Sequence, residues 1–421
     1  MGSPLGSRVD LYGKTRAAPR RRSGRRRARL LRTLAGGVGL VVLLVWLTGS
    51  GRGLVAPPQV SVKVTLPRTA IAGPSTAASL VPALPWPKTG QAAVDVPAVG
   101  YQAQSAPERP VPVASMTKMM TAYVVLADHP LALGQQGPRV TMTQADAAQF
   151  GTDTVTDQAN VILRQGEVLT EYQMLEGLLV HSANDLAYAL ACWDAGSLPA
   201  FVAKMNATAS ALGMRETHFG DASGYLPSST STAADLLRVA AAAMRDPVFA
   251  QIVSMPSVTL PLAGTVQSYT PLVGTTGVIG VKSGFTNAAG GGDVLAYRVS
   301  VDGKTFISLA AVTSQEGWTV LGVSGREALA LAKAASARVQ AETVAKKGMV
   351  VAQLTAGSRT VDATTADPAN MLILPGDTIH QVVRVRLPQH GARRGVQVGT
   401  ATFVLGGQRI SVPVRLAARA P

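Results

Sequence analysis

Hydrophobic and polar positions along the 421 residues change rhythm four times. The first change is abrupt, because Thr33 to Gly49 (TLAGGVGLVVLLVWLTG) runs seventeen residues without a charge, the lower limit for a helix that crosses a bilayer. Residues 50–83 then hold Pro57, Pro58, Pro67 and Pro74 among small side chains with no helical period, the pattern of an extended linker. From Leu84 the periods become those of a folded domain. QAAVDV (Gln91 to Val96) alternates like a strand, and Thr170 with Gln173 forms a capping box ahead of MLEGLLV. Thr232 with Asp235 stands in the same way ahead of DLLRVAAAAM, and the helix in PAFVAKMNATASAL ends at Gly213. The runs GVIGV, GDVLAYRVSV and KTFISLAAVT predict paired strands, the last two joined by a turn at Asp302 and Gly303, and REALALAKAASARVQAETVA predicts a closing helix. Helices bracketing a mostly antiparallel sheet give an α+β domain over 84–344. Past Lys347 the runs GMVVAQL, NMLILPG, IHQVVRVRLP, VQVGTATFVLG and RISVPVRLA predict a small all-β domain over 345–421.

Charge sharpens this division. The formal net charge is +15, which by itself suggests a nucleic-acid binder, but residues 1–52 carry +11 and residues 345–421 carry +7, leaving −3 for the body between them. The body is therefore not a polyanion binder, and nucleic acid is not an expected partner. Arg20, Arg21, Arg22, Arg25, Arg26, Arg27, Arg29 and Arg32 directly precede the apolar run. The positive-inside rule thus gives a cytoplasmic tail (1–32), a transmembrane anchor (33–49) in the cytoplasmic membrane and an extracytoplasmic remainder, with a cleaved signal and secretion as the alternative. Arg384 and Arg386 share one face of a predicted strand, so the β domain has a wet, positive surface facing either solvent or an acidic envelope polymer or lipid headgroup. The single cysteine, Cys192, reads as a small buried hydrophobe, and five scattered histidines show no metal-site spacing.

Three short motifs carry chemistry. Ser115-Met116-Thr117-Lys118 opens a helical run, and a spacing of three puts hydroxyl and amine on one face, where a desolvated lysine can act as base to the serine. Ser182-Ala183-Asn184 falls at a break between two helical segments, which can aim a hydroxyl and an amide into a cleft, although a helix N-cap has the same appearance. Lys282-Ser283-Gly284 ends the strand GVIGV and is followed by Phe285; a cation, a hydroxyl and a residue without a side chain at a strand end can dock a peptide and its carboxylate. A more literal Lys-Thr-Gly at Lys88 to Gly90 precedes the serine and reads as a turn.

In this order, Ser-x-x-Lys, Ser-x-Asn and Lys-Ser-Gly resemble the active-site triplet of the penicillin-recognising serine enzymes. VASMTKMMTAYVVL, LLVHSANDLAYALA, MNATASALGMRETHF, STAADL and GVIGVKSGFTNAAGG narrow the resemblance, over residues 84–344, to the low-molecular-mass D-alanyl-D-alanine carboxypeptidases. The resemblance implies their transpeptidase/β-lactamase-like fold, often followed by a β domain. It implies that Ser115 attacks the bond between the terminal D-alanines of a peptidoglycan stem pentapeptide, that Lys118 takes its proton, and that Ser182 helps protonate the departing D-alanine. Asn184 would bind the substrate backbone, Lys282 would supply positive potential, and Ser283 would meet the terminal carboxylate of the peptide or of a penicillin. Gly284 lies in this binding strand, and the N–H groups of Ser115 and Phe285 would form the oxyanion hole. β-Lactams would be covalent inhibitors, and no cofactor or metal is implied.

The sequence departs from the family at Ser283, where a threonine is usual, and in TVQSYTPLVGTTG, which lacks the customary asparagine before the third motif's strand. A class A β-lactamase would need a Glu-x-x-x-Asn, and Glu216, the only glutamate between Asn184 and Lys282, has Gly220 four residues on. A transpeptidase, an endopeptidase and an inactive penicillin-binding scaffold share the triplet and remain open. His181 beside the second motif, His218 in ETHF, and Asp221 and Ser223 in DASGY read as helix-end, loop and turn residues.

Overall fold

A computed structural model describes residues 60–63, 84–105, 107–275, 277–316, 320–356, 358–386 and 391–420. The basic tail, the apolar run at 33–49 and most of the expected linker lie outside them. Among the described residues no single helix is long and apolar enough to cross a membrane. One part of the linker expectation is corrected: β1 (Val60–Lys63) is a strand that pairs antiparallel with Val350–Ala356. Val-Ser-Val-Lys alternates as a strand does, but four residues between proline-rich segments are too few to read as one.

The first domain is built on β2 (Gln91–Val96), β3 (Tyr101–Gln104) and the short β4 (Val111–Pro112), after which a tight 3-10 turn (Ala114–Thr117) leads straight into α1 (Lys118–Asp128). A helical lobe follows: β5 (Arg139–Thr141), α2 (Gln144–Val155), β6 (Val168–Thr170), α3 (Glu171–Leu179), α4 (Asn184–Ala195) and α5 (Leu198–Ala211). Then come β7 (Thr230–Ser231), α6 (Ala233–Ala243), α7 (Pro247–Val253), β8 (Ser257–Leu260) and β9 (Gly264–Gln267). The long strands β10 (Val278–Thr286), β11 (Gly290–Val301) and β12 (Lys304–Gln315) and the helix α8 (Val320–Ser336) close the domain. The anticipated caps are present, with a full capping box at Thr170 and Gln173 and Thr232 accepting from the Asp235 N–H.

The five-stranded antiparallel sheet has the order β10-β11-β12-β2-β3. Alternation along β11 sends Val294 and Ala296 into the core shared with the helical lobe, while Leu295 packs toward Leu331 of α8 on the other face. The sheet is covered on both sides, so the strand ends and the breaks between helices are where polar groups can converge.

The predicted closing helix is too long. It stops at Ser336, and Gln340–Ala345 forms β13, whose Val344 and Ala345 are buried in the second domain's core. QAETVA can adopt either conformation alone, and pairing with β16 (Ala369–Ile373) decides for strand. The second domain completes itself with β14 (Val350–Ala356), β15 (Arg359–Thr365), β17 (His380–Val385), β18 (Gln397–Leu405) and β19 (Gln408–Leu416). Its main sheet has the order β1-β14-β15-β19-β18-β17. The tight β18-β19 turn meets the turn after β2: the Gly407 N–H donates to the Pro97 carbonyl at 2.8 Å and Gln408 Nε2 to the Ala98 carbonyl at 2.9 Å.

Candidate active site

Ser115 lies in the 3-10 turn and Lys118 is the first residue of α1, so the serine precedes the helix start as anticipated. Lys118 has no solvent exposure, and its Nζ sits 2.9 Å from Ser115 Oγ, 2.5 Å from Asn184 Oδ1 and 2.9 Å from the Ser223 carbonyl. Burial, reinforced by the cation of Lys282, holds this amine well below the usual lysine range. A neutral amine has two N–H groups and one lone pair. Two of its neighbours, an amide oxygen and a carbonyl, can only accept, so the lone pair is left for the serine hydroxyl. The first motif is therefore a hydroxyl hydrogen-bonded to a base.

The break between α3 and α4 presents the second motif. Asn184 opens α4 with its N–H on the Ala159 carbonyl at 2.7 Å, and its Nδ2 donates to Gln158 Oε1 at 2.6 Å. Its amide oxygen is engaged by Lys118, so here Asn184 positions the base, a role beyond the expected one toward substrate. Ser182 is nearly buried with a φ of 63°, and among the described residues its hydroxyl has no protein hydrogen-bond partner. A left-handed serine is an uncommon conformation, held by the bonds on either side of it. It joins the group through its neighbour Asn184.

The loop DASGY is more than a turn. Buried Asp221 accepts from Ser223 Oγ (2.6 Å), Ser229 Oγ (2.5 Å) and the N–H groups of Gly224 and Tyr225 (both 3.0 Å). The loop so fixed offers the Ala222 carbonyl to Thr121 Oγ1 and the Ser223 carbonyl to Lys118. Gly224, with φ 82°, passes so close to the 3-10 turn that an added Cβ would stand 1.8 Å from the Ala114 carbonyl oxygen. The Asp221 carboxylate also pulls the Lys118 amine upward, opposing burial. Sequence reasoning undervalued Asp221 and Ser223 because an Asp-x-Ser-Gly turn needs no partner to make sense locally.

The third motif lies on β10. Gly284 runs against the serine's turn, where an added Cβ would be 2.7 Å from the Ser115 backbone nitrogen and 3.0 Å from that of Met116. Only a hydrogen fits there. Lys282 has no exposure, donates to the Ser283 carbonyl at 2.9 Å, and is lowered to about 7 by burial. Asp293, paired with Ser283 in the β10-β11 register, is equally buried and held well above the ordinary carboxylate range. Ser283 differs from expectation: its hydroxyl donates to the Tyr269 carbonyl at 2.8 Å and its N–H to Thr270 Oγ1 at 3.3 Å, so it must rotate to meet a carboxylate. Tyr269 and Thr270 belong to the segment without the customary asparagine and supply the support it lacked. Phe285 follows with its ring about half exposed.

The remaining candidates separate cleanly. His181 Nδ1 lies 3.0 Å from the Gln267 carbonyl and its ring stacks on Tyr269 at 4.6 Å, which makes it a prop for the segment that holds Ser283. His218 joins Thr230 by two backbone hydrogen bonds. The Lys88 to Gly90 stretch is a turn before β2, its Thr89 carbonyl accepting from Gln315. Cys192 is corrected: it is exposed on α4, because the buried stripe of that helix falls on Leu186, Ala187, Leu190 and Ala191. Gln158 and Thr270 were missed, and nothing in TDQAN or SYTPL marks them before the chain is folded.

Comparison with known proteins gives a consistent result. The family Peptidase_S11, described as D-alanyl-D-alanine carboxypeptidase, matches residues 101–309. The chain is 38% identical over 185 residues to the D-alanyl-D-alanine carboxypeptidase DacB2 of Mycobacterium tuberculosis, covering 42% of this chain and 59% of that protein. It is 31% identical over 208 residues to a D-alanyl-D-alanine carboxypeptidase of Streptomyces strain K15, covering 46% and 69%. The matches thus span between about three fifths and two thirds of these relatives. The fold extends further, to a crystal structure of PBP3, a peptidoglycan synthesis regulatory factor from Streptococcus pneumoniae. There the TM-score is 0.59 at 20% identity, over 78% of this chain and 98% of that one.

Proposed function

The chain belongs to the D-alanyl-D-alanine carboxypeptidase family of serine peptidases, and on that premise we propose that it removes the terminal D-alanine from peptidoglycan stem pentapeptides. The observation that carries this reading is the surrounding of Lys118 Nζ, whose two N–H groups point at acceptor-only oxygens and whose lone pair meets Ser115 Oγ. Ser115 adds to the carbonyl between the two D-alanines as its proton passes to Lys118. The tetrahedral oxyanion forms beside the Ser115 and Phe285 N–H groups, a space left open by Gly284. Collapse breaks the peptide bond, the proton reaches the departing amine with help from Ser182, and water then hydrolyses the acyl-enzyme to regenerate Ser115. Lys282 and, after rotation, Ser283 receive the substrate carboxylate, and a penicillin would acylate the same serine. No step calls for a metal or cofactor.

In this reading residues 33–49 hold the protein in the cytoplasmic membrane with both domains outside; the N-terminal sequence of the mature protein tests this, since a start near residue 51 means cleavage and secretion. A fluorescent penicillin should label the protein at Ser115, and the protein should release D-alanine from a stem-pentapeptide analogue. Labelling that persists in Ser115→Ala overturns the assignment. Labelling without D-alanine release instead favours a transferase, an endopeptidase or a penicillin-binding scaffold.

A further inference from the structure

Six of the ten basic residues between 345 and 421 gather at one end of the second domain's main sheet. One end of the main sheet, formed by the β18-β19 turn, rests on the first domain through Gly407 and Gln408. The opposite end is fixed by register. Val385 faces Gly399, Gln397 faces Arg415, Ala363 faces Leu416 and Ala356 faces Arg359, so the end of β17, the start of β18, the end of β19 and the β14-β15 turn lie together. Arg359, Arg386, Arg393, Arg394, Arg415 and Arg419 all fall at this end and all are exposed. The loop bearing Arg393 and Arg394 is tied to the chain end, with the Gly395 N–H on the Leu416 carbonyl and the Ala420 N–H on the Ala392 carbonyl. Among the described residues none of the six is in an ion pair, and Asp362, on β15, accepts from Gln353. Of the domain's other two acids, Asp377 precedes β17 and lies toward the other end, whereas Asp367 follows Thr365, which pairs with Val414 level with the start of β18.

The same register locates where the chain enters the sheet. Val60 pairs with Ala356, so β1 starts at the arginine end. Val60 follows the uncharged run ending at Gly49 by eleven residues, a reach of at most about 40 Å. Val396, beside Arg394, is 42% exposed and adds apolar surface. Guanidinium groups bind phosphate oxygens in a fork, and basic groups near an anionic bilayer are attracted by about 1 kcal/mol each.

We propose that the arginine-bearing end of the second domain's sheet docks on anionic phospholipid headgroups, seating that domain on the membrane with the peptidase domain held at the far end of the sheet. The tether argument rests on the anchor reading above; the charge argument does not. The test uses the full chain with Cys192→Ser and a fluorophore on Val396→Cys, reconstituted into phosphatidylcholine vesicles with or without about one third phosphatidylglycerol. A headgroup-borne quencher should quench position 396 strongly only with phosphatidylglycerol, and a control label at Val155, 88% exposed on α2, should respond to neither vesicle. Arg386→Gln, Arg393→Gln, Arg394→Gln and Arg415→Gln together should abolish the difference, and the four lysine replacements should keep it. Equal quenching in both vesicles, indifference to the glutamine variant, or binding to soluble polyphosphate without any vesicle response overturns the proposal. Penicillin labelling of the same samples reports the peptidase reading separately. If the chain fails to float with phosphatidylcholine vesicles, the anchor reading falls, and flotation with phosphatidylglycerol vesicles becomes the readout. The glutamine variant should then partition at least roughly tenfold more weakly, and absence of flotation overturns the proposal.

Discussion

The peptidase cleft and the arginine end of the second domain are both positive, and they use positive charge in opposite ways. In the cleft Lys118 and Lys282 have no exposure, every Nζ neighbour is a fixed oxygen, and both amines are shifted downward by burial. At the sheet end the arginines stand in solvent, none of them in an ion pair among the described residues, and guanidinium stays charged in any environment. Burial turns the Lys118 cation into a base for Ser115, whereas exposure keeps each arginine a source of field. Lysine and arginine are distributed to suit, since only the lysine can give up its proton near neutral pH.

That contrast can be broken most severely at Lys118. Lys118→Ala should lower the rate of penicillin acylation by roughly 10³- to 10⁴-fold while leaving the vesicle response of the arginine end unchanged. A rate within tenfold of the parent would mean that the buried amine is not the base.

Asp221→Ala comes next. It removes four hydrogen bonds from the loop that offers Ser223 to Lys118 and removes a charge that raises the amine's affinity for protons. Acylation should fall by roughly 10²-fold, and the acid limb of its pH profile should move to lower pH. A merely structural role would lower the melting temperature without moving the limb.

The smallest expected effect separates burial from charge altogether. Glu171, at the start of α3, has no exposure, neither carboxyl oxygen has a hydrogen-bond partner among the described residues, and burial raises it to about 7. A carboxyl raised in the folded state binds its proton more tightly than in the unfolded chain. Its contribution is therefore complete below about pH 4.5 and is lost as pH rises through about 7. Glu171→Gln should abolish that loss, so the variant's melting temperature should exceed the parent's at pH 8 and match it near pH 4. Equal pH dependence in the two proteins would remove Glu171 from the account.

Much of this was legible along the chain because the signals are local. Capping boxes at Thr170 and ahead of DLLRVAAAAM, alternation in QAAVDV and the Asp302-Gly303 turn depend on residues a few positions apart, and the same spacing logic put Ser115 and Lys118 on one turn. What was misread depends on distant partners. QAETVA became a strand because Ala369–Ile373 lies beside it, Val60–Lys63 left the linker because β14 presents an open edge, and Cys192 faced outward because of where α4 packs.

By itself the sequence determined the two folded domains, the three motifs in their order and the sorting of charge into a basic tail, an acidic body and a basic appendage. Each follows from composition or from contacts within a turn or two. Only the tertiary structure decided that Asn184 holds the base, that Asp221 fixes the loop whose Ser223 carbonyl meets Lys118, that Ser283 turns toward Tyr269, and that six dispersed arginines share one end of a sheet. The physical reason is common to all four: a hydrogen bond or a field acts over a few ångströms, and here those ångströms are spanned by residues dozens of positions apart.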